Sequence, residues 1–332
     1  MEEAIIFHVD VNNAYLSWEA VNRLTLDEKS TDLRLIPSVI GGDMKSRHGV
    51  VLAKSTPAKK YNIITGEPIQ KALQKCPNLT LVPPNHDLYE ESSRSLFDLL
   101  YEFSPNVEPY SIDEAFLDMT KSIPSKSRAK EVARKMKEGI KTELGFTVNI
   151  GVSTNKLLAK MASDLKKPDM VHTLFPREVP DKMWPLPIEE LFQVGKSTSR
   201  ILRNLGIKTI GDLAHTQKGI LKSHLGNKWG EIIDNNAWGI NKDPVQVELA
   251  KNKGYGNSIT LAEDITDFDE ACLVFLSISE RVGGRLRENK LKAYCIAIEV
   301  KDSKFIRQTK QTTLLTPTNT TNIIYETSCK LL

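Results

Sequence analysis

The chain has 332 residues, of which 40% are hydrophobic and 26% charged, and its formal net charge is +3. A chain of this length exceeds the size at which one hydrophobic core keeps growing, so we expect roughly two to four domains. Four scattered cysteines without a C-x-x-C pair argue against a disulfide framework and a zinc site. A signal peptide and an apolar run of membrane-spanning length are also missing, which favours a cytoplasmic protein.

The chain begins with a predicted buried strand over residues 4–10, which is apolar apart from His8 and the closing Asp10. The next segment predicts the start of a helix, for which Asn12 or Asn13 is a suitable N-cap. The first strand therefore ends in a carboxylate where the chain turns into a helix.

A small insert follows the first strand, and it extends over residues 13–79. Residues 37–42 and 49–54 predict a β-hairpin with a basic loop, KSRH, at 45–48. A second, short helix is expected from about residue 57 to 61.

The elements after the insert alternate between amphipathic helices and strands. They are a helix over 88–103, an acidic hairpin over 107–118, a helix over 128–144 that Gly145 ends, a strand over 146–152, and a helix over 155–165 capped by Ser153 or Thr154. Together with the first strand, this order predicts a split βαβ, ferredoxin-like domain with an insert after its first strand.

A second part of the chain begins beyond a Pro-Leu-Pro boundary at 185–187. Residues 188–240 predict small helices, and 241–253 a polar linker. The last elements form a βαββα pattern: a strand over 256–261, a helix over 267–289, strands over 291–300 and 304–314, and a helix from about 319. Because a final strand would complete this pattern, we expect the terminal domain to be truncated.

The most informative residues are three carboxylates, Asp10, Asp113 and Glu114. Acids in segments that favour apolar residues repel each other, and a bound cation would neutralise them. Oxygen ligands with no cysteine and only His8 nearby suit Mg²⁺ first and Mn²⁺ second. Neighbours in a regular strand point to opposite faces, so Asp113 and Glu114 can share a site only at a turn or bulge. The alternative is that these are solvated turn acids.

Three runs resemble the motifs of Y-family, lesion-bypass DNA polymerases. HVDVNNAYLSWE at 8–19 and YSIDEAFLD at 110–118 look like the two active-site motifs. NIGVSTNKLLAKMASDLKKP at 149–168 is similar to the nucleotide-binding helix. STPAKK at 55–60 looks closest to the bacterial branch of polymerase V catalytic subunits and Gram-positive UV-damage-repair proteins, which is related to DNA polymerase IV.

The resemblance implies four domains of an α+β protein, in which the ferredoxin-like domain is the palm. The expected division is palm at 1–12 and 80–172, fingers at 13–79, an all-helical thumb at 173–243, a linker at 244–253 and an incomplete little finger at 254–332. It also implies translesion DNA synthesis without proofreading, at low fidelity, as part of the response to DNA damage.

Residue roles follow from the same resemblance. Asp10, Asp113 and Glu114, with the carbonyl of Val11, match the ligands of two Mg²⁺ ions. Such a pair of ions serves in-line phosphoryl transfer.

The resemblance also implies four nucleotide-binding residues. Tyr15 matches the steric gate that excludes a 2′-hydroxyl, and Lys160 matches the triphosphate-binding lysine. Thr56 and Lys59 stand where many family members carry Tyr and Arg, and a lysine lacks the bidentate fork of arginine. The alternatives are an ordinary helix aromatic for Tyr15 and a solvated helix face for Lys160.

Two segments are candidates for DNA binding. Residues 191–207 resemble a helix-hairpin-helix, in which Gly195 and Lys196 would meet a phosphate, although Gln193 replaces a common glycine. Between 281 and 310, basic residues outnumber acidic ones nine to three. The expected contacts there are Arg285, Lys304, Arg307 and Lys310, on a face that could otherwise simply be solvated.

Primer–template DNA and a dNTP are therefore the expected partners. A sliding clamp is implied by the family, although no Q-L-x-L-F-like run is present. Two alternatives remain open: a non-catalytic DNA-binding scaffold of the same family, and a nucleotide cyclase with a similar palm and two-metal site.

Overall fold

The computed structural model describes residues 3–42, 49–248 and 252–332. Residues 3–42 and 50–248 form one compact unit, and residues 252–332 make up the main part of a second. The predicted basic loop at 45–48 lies outside the described residues.

The first unit contains two sheets and a group of helices. Its strands are β1 (Ile6–Val11), β2 (Ser38–Gly41), β3 (Val51–Lys54), β4 (Thr80–Val82), β5 (Val107–Pro109), β6 (Glu114–Asp118), β7 (Val148–Ser153) and β8 (Val171–Thr173). Its helices are α1 (Ala14–Leu26), α2 (Thr56–Lys59), α3 (Ile69–Lys75), α4 (His86–Phe103), α5 (Ala129–Leu144), α6 (Lys156–Asp164), α7 (Val179–Lys182), α8 (Lys196–Asn204), α9 (Ile210–Ala214), α10 (Lys218–Leu225) and α11 (Asn227–Ala237).

The larger sheet has the order β5-β6-β1-β7-β8, with β1 antiparallel to both neighbours. Alternation along β1 divides its side chains between two faces. Phe7 and Val9 pack into a core with α1, α4 and α5, whereas Ile6 packs with Phe116 and Ala159 on the α6 side. This arrangement confirms the predicted mixed α+β domain, in which α6 lies on the face that carries Asp10.

The predicted hairpin of β2 and β3 is present in the smaller sheet, of order β3-β2-β4. β4 pairs parallel with β2, although it follows the expected end of the insert at residue 79. The smaller sheet has its own hydrophobic core, which includes Val39, Ile63 and Ile69.

Helices α7 to α11 form the predicted all-helical region, and their buried side chains pack with Leu157, Leu158 and Met161 of α6. Helix α6 is therefore held between the larger sheet and this helical region. Within the described ranges, no helix is both long and apolar enough to cross a membrane.

The second unit contains α12 (Phe268–Glu288), β9 (Ala293–Lys301), β10 (Arg307–Thr318) and α13 (Thr321–Leu331). β9 and β10 form an antiparallel pair, and Leu286, Ile296 and Ile324 lie in their core. The predicted strand at 256–261 is wrong, because these residues form neither helix nor strand. Its apolar residue Ile259 is 39% exposed, so no buried face holds the segment against the sheet.

Two helix starts differ from the prediction in detail. Asn155, and not Ser153 or Thr154, caps α6, since its side chain accepts a hydrogen bond from the Leu158 N–H at 2.9 Å. Asn13 is the residue before α1, as expected, but it adopts a left-handed conformation without a side-chain cap.

We expect Gly151→Ala to destabilise the first unit strongly. A Cβ at Gly151 in β7 would lie 1.9 Å from the Ala159 carbonyl oxygen and 2.5 Å from the Ser163 nitrogen, both backbone atoms of α6. The helix would have to move away from the sheet, at a cost of about 3 kcal/mol. Thermal unfolding measures the effect.

Gly139→Ala is the matched control for this prediction. Gly139 lies within α5, and the nearest atom to an added Cβ is a flexible Glu143 oxygen at 3.8 Å. Alanine there should stabilise the helix by about 0.5–1 kcal/mol. Equal melting temperatures of the two variants would contradict the close approach of α6 to β7.

Candidate active site

The pairing of β1 with β6 places Asp10 directly opposite Glu114. Side chains opposite each other in an antiparallel pair share a face, with Cβ atoms about 5 Å apart. Asp10 is 9% exposed and Glu114 is half-buried. The strand register thus brings two like charges together in a largely dry place, which is unfavourable without positive charge nearby.

Asp113 lies just outside the regular strand, in the bend that precedes β6. The Ser111 hydroxyl donates to Asp113 Oδ1 at 2.7 Å, and the Val11 N–H donates to the Asp113 carbonyl at 3.0 Å. Asp113 and Glu114 can share one site only if a turn or bulge interrupts the strand, and the structure contains such a bend at Asp113.

Two lysines supply the positive charge that the carboxylates need. Lys160 of α6 contacts Glu114 Oε2 at 2.5 Å, and its side chain is 12% exposed. Lys160 therefore does not lie on a solvated helix face. Lys167 contacts Asp10 Oδ2 and Asp164 Oδ1, each at 2.9 Å. Sequence reasoning missed Lys167, and the signal that could have found it is the pair of basic residues, Lys166 and Lys167, directly after α6 in the third motif.

The two opposed carboxylates differ in their titration. Burial raises the pKa of Asp10 to about 6, although Lys167 opposes the shift. Burial also disfavours ionisation of Glu114, but hydrogen bonds from His8 and Lys160 outweigh it and lower its pKa to about 2. Burial lowers the pKa of His8 itself. Glu114 is thus firmly ionised, whereas Asp10 carries its charge at a free-energy cost.

A cavity of about 330 Å³ adjoins Asp113, and Tyr15, Lys59 and Val11 are also among its lining residues. The Tyr15 ring stacks on the ring of Tyr89, with centroids 4.4 Å apart and planes 10° apart. Tyr15 is therefore a part of the cavity wall that packs on a buried ring.

The other two predicted nucleotide-binding residues are placed differently. Thr56 is the exposed first residue of α2. Lys160 lies beside Glu114, with the rings of Tyr110 and Phe192 each 5.6 Å from its Nζ. Partial burial, then the charges of Lys54 and Lys167, lower the pKa of Lys59. The ammonium groups of Lys54, Lys59, Lys160 and Lys167 therefore make the surroundings of the cavity and the carboxylates electrically positive.

The donor set fits a hard divalent cation in its chemistry, because it consists of carboxylate and carbonyl oxygens. As the side chains stand, no three acidic, histidine or cysteine residues of the described ranges converge to hold an ion. Lysines occupy Asp10 and Glu114 instead, and Ser111 occupies Asp113. A metal bound by the other oxygens of these carboxylates would bring positive charge close to both lysines and weaken their contacts.

In the candidate helix-hairpin-helix, Gln193 stands at a position where glycine is common. Gln193 has a φ of 72°, the left-handed region that glycine adopts most easily. Asn236 donates a side-chain hydrogen bond to Gln193 Oε1 at 3.3 Å. Gly195 precedes α8, and Lys196, its exposed first residue, follows. The hairpin conformation is therefore kept although the glycine is not.

The basic residues predicted to contact DNA in the second unit have partners within the chain. Arg285 donates to the Gly256 carbonyl at 3.0 Å, Arg307 pairs with Glu299 at 3.2 Å, and Lys310 donates to the Leu332 carbonyl at 3.1 Å. Lys304 lies in the turn between β9 and β10. Ile306, Gln308 and Lys310 line one cavity, because alternate residues of an extended segment share a face.

Comparison with protein families covers most of the chain. Residues 9–164 match the impB/mucB/samB family, residues 252–332 match the impB/mucB/samB family C-terminal domain, and residues 176–207 match the IMS family HHH motif. DNA polymerase IV of Clostridium acetobutylicum is 47% identical over 320 residues, which are 96% of this chain and 80% of the relative. DNA polymerase IV 1 of Bacillus subtilis is 39% identical over 321 residues, 96% of this chain and 75% of the relative.

A solved structure, the Y-family DNA polymerase chimera Dbh-Dpo4(243-245)-Dbh, superposes with a TM-score of 0.84 at 26% identity and covers 98% of this chain and 92% of its own. The chain belongs to the Y family of DNA polymerases. It is a DNA-directed DNA polymerase of the translesion type, as the motifs predicted. The names of these relatives favour DNA polymerase IV over the branch that STPAKK suggested.

Membership of the Y family overturns the cyclase alternative and confirms the helix-hairpin-helix assignment. Y-family DNA polymerases are metal-dependent enzymes that act on primer–template DNA with nucleotide substrates. The roles of individual residues, the identity of the ions, the clamp and the domain boundaries stay predictions.

Without divalent metal, we expect Asp10→Asn to raise the stability of this polymerase by about 1 kcal/mol, since it removes a buried charge facing another. The gain should grow as the pH rises from 3.8 through about 6, because Asp10 ionises over that range only at a cost to the folded state. Thermal unfolding in a chelator, at several pH values, measures it.

Asp164→Asn is the control for this effect, because its side chain is 40% exposed and its contact with Lys167 should contribute well under 1 kcal/mol. Lys167 keeps a carboxylate partner in either variant. A less stable Asp10→Asn protein at neutral pH would show that Asp10 stabilises the fold.

Proposed function

We propose that this polymerase joins the α-phosphate of a dNTP to a primer 3′-hydroxyl, with loss of pyrophosphate. Asp10, Asp113, Glu114 and the carbonyl of Val11 would hold two Mg²⁺ ions, for which Mn²⁺ could substitute. Bound ions would lower the pKa of the attacking hydroxyl and stabilise the charge on the phosphates. The observation that carries this proposal is the pair Asp10 and Glu114, opposed across two strands and neutralised by lysines.

The lysines have a second role in this mechanism. Lys160 and Lys167 each contact one oxygen, of Glu114 and Asp10 respectively. A divalent ion bound by the other oxygens would weaken both contacts and free the ammonium groups for the triphosphate. Lys59, which lines the cavity, would contact the same phosphates. Thr56, the exposed first residue of α2, would contact the nucleotide at the edge of the cavity. The carboxylates would thus be neutralised by lysines in the empty site and by metal ions in the loaded site, where the lysines neutralise the phosphates.

Tyr15 is the proposed sugar-selecting residue. Its ring lines the same cavity as Asp113, and Tyr89 holds it from behind. A ring held in this way would leave room for a deoxyribose and would clash with a 2′-hydroxyl. We infer that Tyr15 excludes ribonucleotides.

The small size of the predicted fingers region, residues 13–79, supports low fidelity. Its sheet has three short strands, and α2 has four residues, so little surface can close over a base pair. We propose an open site that tolerates damaged templates. Gly195 and Lys196 would grip the duplex at one phosphate, and Arg285, Lys304, Arg307 and Lys310 would track others after exchanging their internal partners. The enzyme would work in the cytoplasm, with a sliding clamp as a further partner.

The decisive experiment is primer extension with Mg²⁺ and dNTPs, comparing the wild type with Asp113→Ala. Extension should fall by at least a thousandfold, because one oxygen ligand is lost where charge develops. Asp98→Ala, on the outer face of α4, is the control and should extend normally. DNA binding should be equal in all three proteins. If the wild type binds DNA without extending it, the non-catalytic scaffold becomes the better description.

Tyr15→Ala should admit ribonucleotides with little loss of dNTP use. The ratio of dNTP to rNTP incorporation efficiencies should fall by about a hundredfold or more, which corresponds to at least ~2.7 kcal/mol of lost discrimination. Tyr101→Ala is the matched control, because Tyr101 is 46% exposed on α4. An unchanged ratio in Tyr15→Ala would show that another group selects the sugar.

A further inference from the structure

His8 is a fully buried polar residue on the same face of β1 as Asp10, two residues before it. Its direct neighbours in the sheet are Phe116 of β6 and Gly151 of β7. The ring of His8 packs on the ring of Phe116, with centroids 4.6 Å apart. This side chain adjoins the carboxylate pair.

Both ring nitrogens of His8 have partners. Nε2 lies 3.1 Å from Glu114 Oε2, and Nδ1 lies 2.8 Å from the Ser163 hydroxyl. An ionised carboxylate can only accept, so Nε2 carries the hydrogen in this contact. The Ser163 hydroxyl in turn lies 2.7 Å from the carbonyl of Lys160. His8 therefore connects Glu114 to the backbone of α6.

The close packing of α6 on the sheet makes this connection possible. Gly151 lies opposite His8 in the sheet, and its missing side chain lets the α6 backbone approach at Ala159 and Ser163. The Ser163 hydroxyl consequently reaches a ring that is fixed in the strand layer. Strand register and helix approach, rather than side-chain flexibility, thus determine where the Nε2–H points.

Lys160 and His8 donate to the same oxygen of Glu114, Oε2. Within the described ranges, no hydrogen bond reaches the other oxygen, Oε1. Lys160 has a long, flexible side chain, and in the proposed mechanism it leaves for the triphosphate. His8 is enclosed between Phe116 and α6, so it cannot leave. One donor on Oε2 is mobile and the other is permanent.

We infer that His8 is a positioning residue, which keeps Glu114 Oε2 fixed so that Oε1 faces the metal and the primer hydroxyl when Lys160 is released. This inference rests on the proposed nucleotidyl transfer. A partner of this kind behind a metal ligand typically contributes 10–100-fold in metal affinity or activity. Its loss should affect the chemical step and metal affinity more than dNTP binding.

The test compares variants that keep or lose a donor at the Nε2 position. His8→Gln can place an amide N–H near Glu114, whereas His8→Asn is too short to reach it and His8→Leu has no donor. We expect kcat to fall about 10–100-fold in His8→Asn and His8→Leu, with the KM for dNTP within about threefold of the wild type. His8→Gln should recover most of the loss. His224→Leu, exposed on α10, is the control.

The second readout does not depend on turnover. Mn²⁺ binding is followed by electron paramagnetic resonance in a complex with dideoxy-terminated primer–template and dNTP. Mn²⁺ affinity should fall about tenfold or more in His8→Asn and recover in His8→Gln. Melting temperatures identify variants that fail to fold, and the comparison of the two amide variants holds even if His8→Leu is one of them.

The outcomes separate this inference from the proposed function. If folded His8→Asn matches His8→Gln in kcat and in Mn²⁺ affinity, the inference is wrong while the polymerase mechanism stands. If the wild type neither extends a primer nor binds Mn²⁺ in the complex, the proposed function fails and the inference falls with it.

Discussion

The electrostatic repulsion between Asp10 and Glu114 is the constraint on which the rest of the site depends. The register of β1 and β6 forces the two carboxylates together on one face of the sheet, in a place with little water. Positive charge must therefore come from the element that covers this face. That element is α6 with the residues just after it, which supply Lys160 and Lys167.

The paired carboxylates lower the stability of the fold, although the proposed reaction needs them. A pKa of about 6 for Asp10 means that the fold resists a charge which the proposed reaction requires. Glu114 differs, because His8 and Lys160 stabilise its ionised form. Glu114 is thus kept ionised by its donors, whereas a bound cation would stabilise the ionised form of Asp10 most. The close approach of α6 at Gly151 supports both conditions, since it brings the lysine and the serine to the strand layer.

Most of the secondary structure was predictable because it depends on local periodicity. The spacing of apolar residues placed α5, and the alternation and turn signals placed the hairpin of β5 and β6. The failure at 256–261 has the opposite cause: a strand needs a partner and a buried face, and neither can be read from the segment itself. The cap of α6 was misplaced by one or two residues because Ser153, Thr154 and Asn155 are all good caps, and only the backbone path of the β7–α6 turn selects one.

The sequence by itself determined the acidic motifs, the order of the elements, the membership of the Y family and the positions of Tyr15 and Lys160. Short runs of residues specify these properties, so they can be recognised without a three-dimensional structure. Tertiary structure alone decided that Lys167 neutralises Asp10, that Tyr89 stacks on Tyr15, and that His8 shares Glu114 Oε2 with Lys160. Each of these contacts joins residues that lie 46 or more positions apart in the chain. They depend on strand register and on the distance between helix and sheet, which no local pattern specifies.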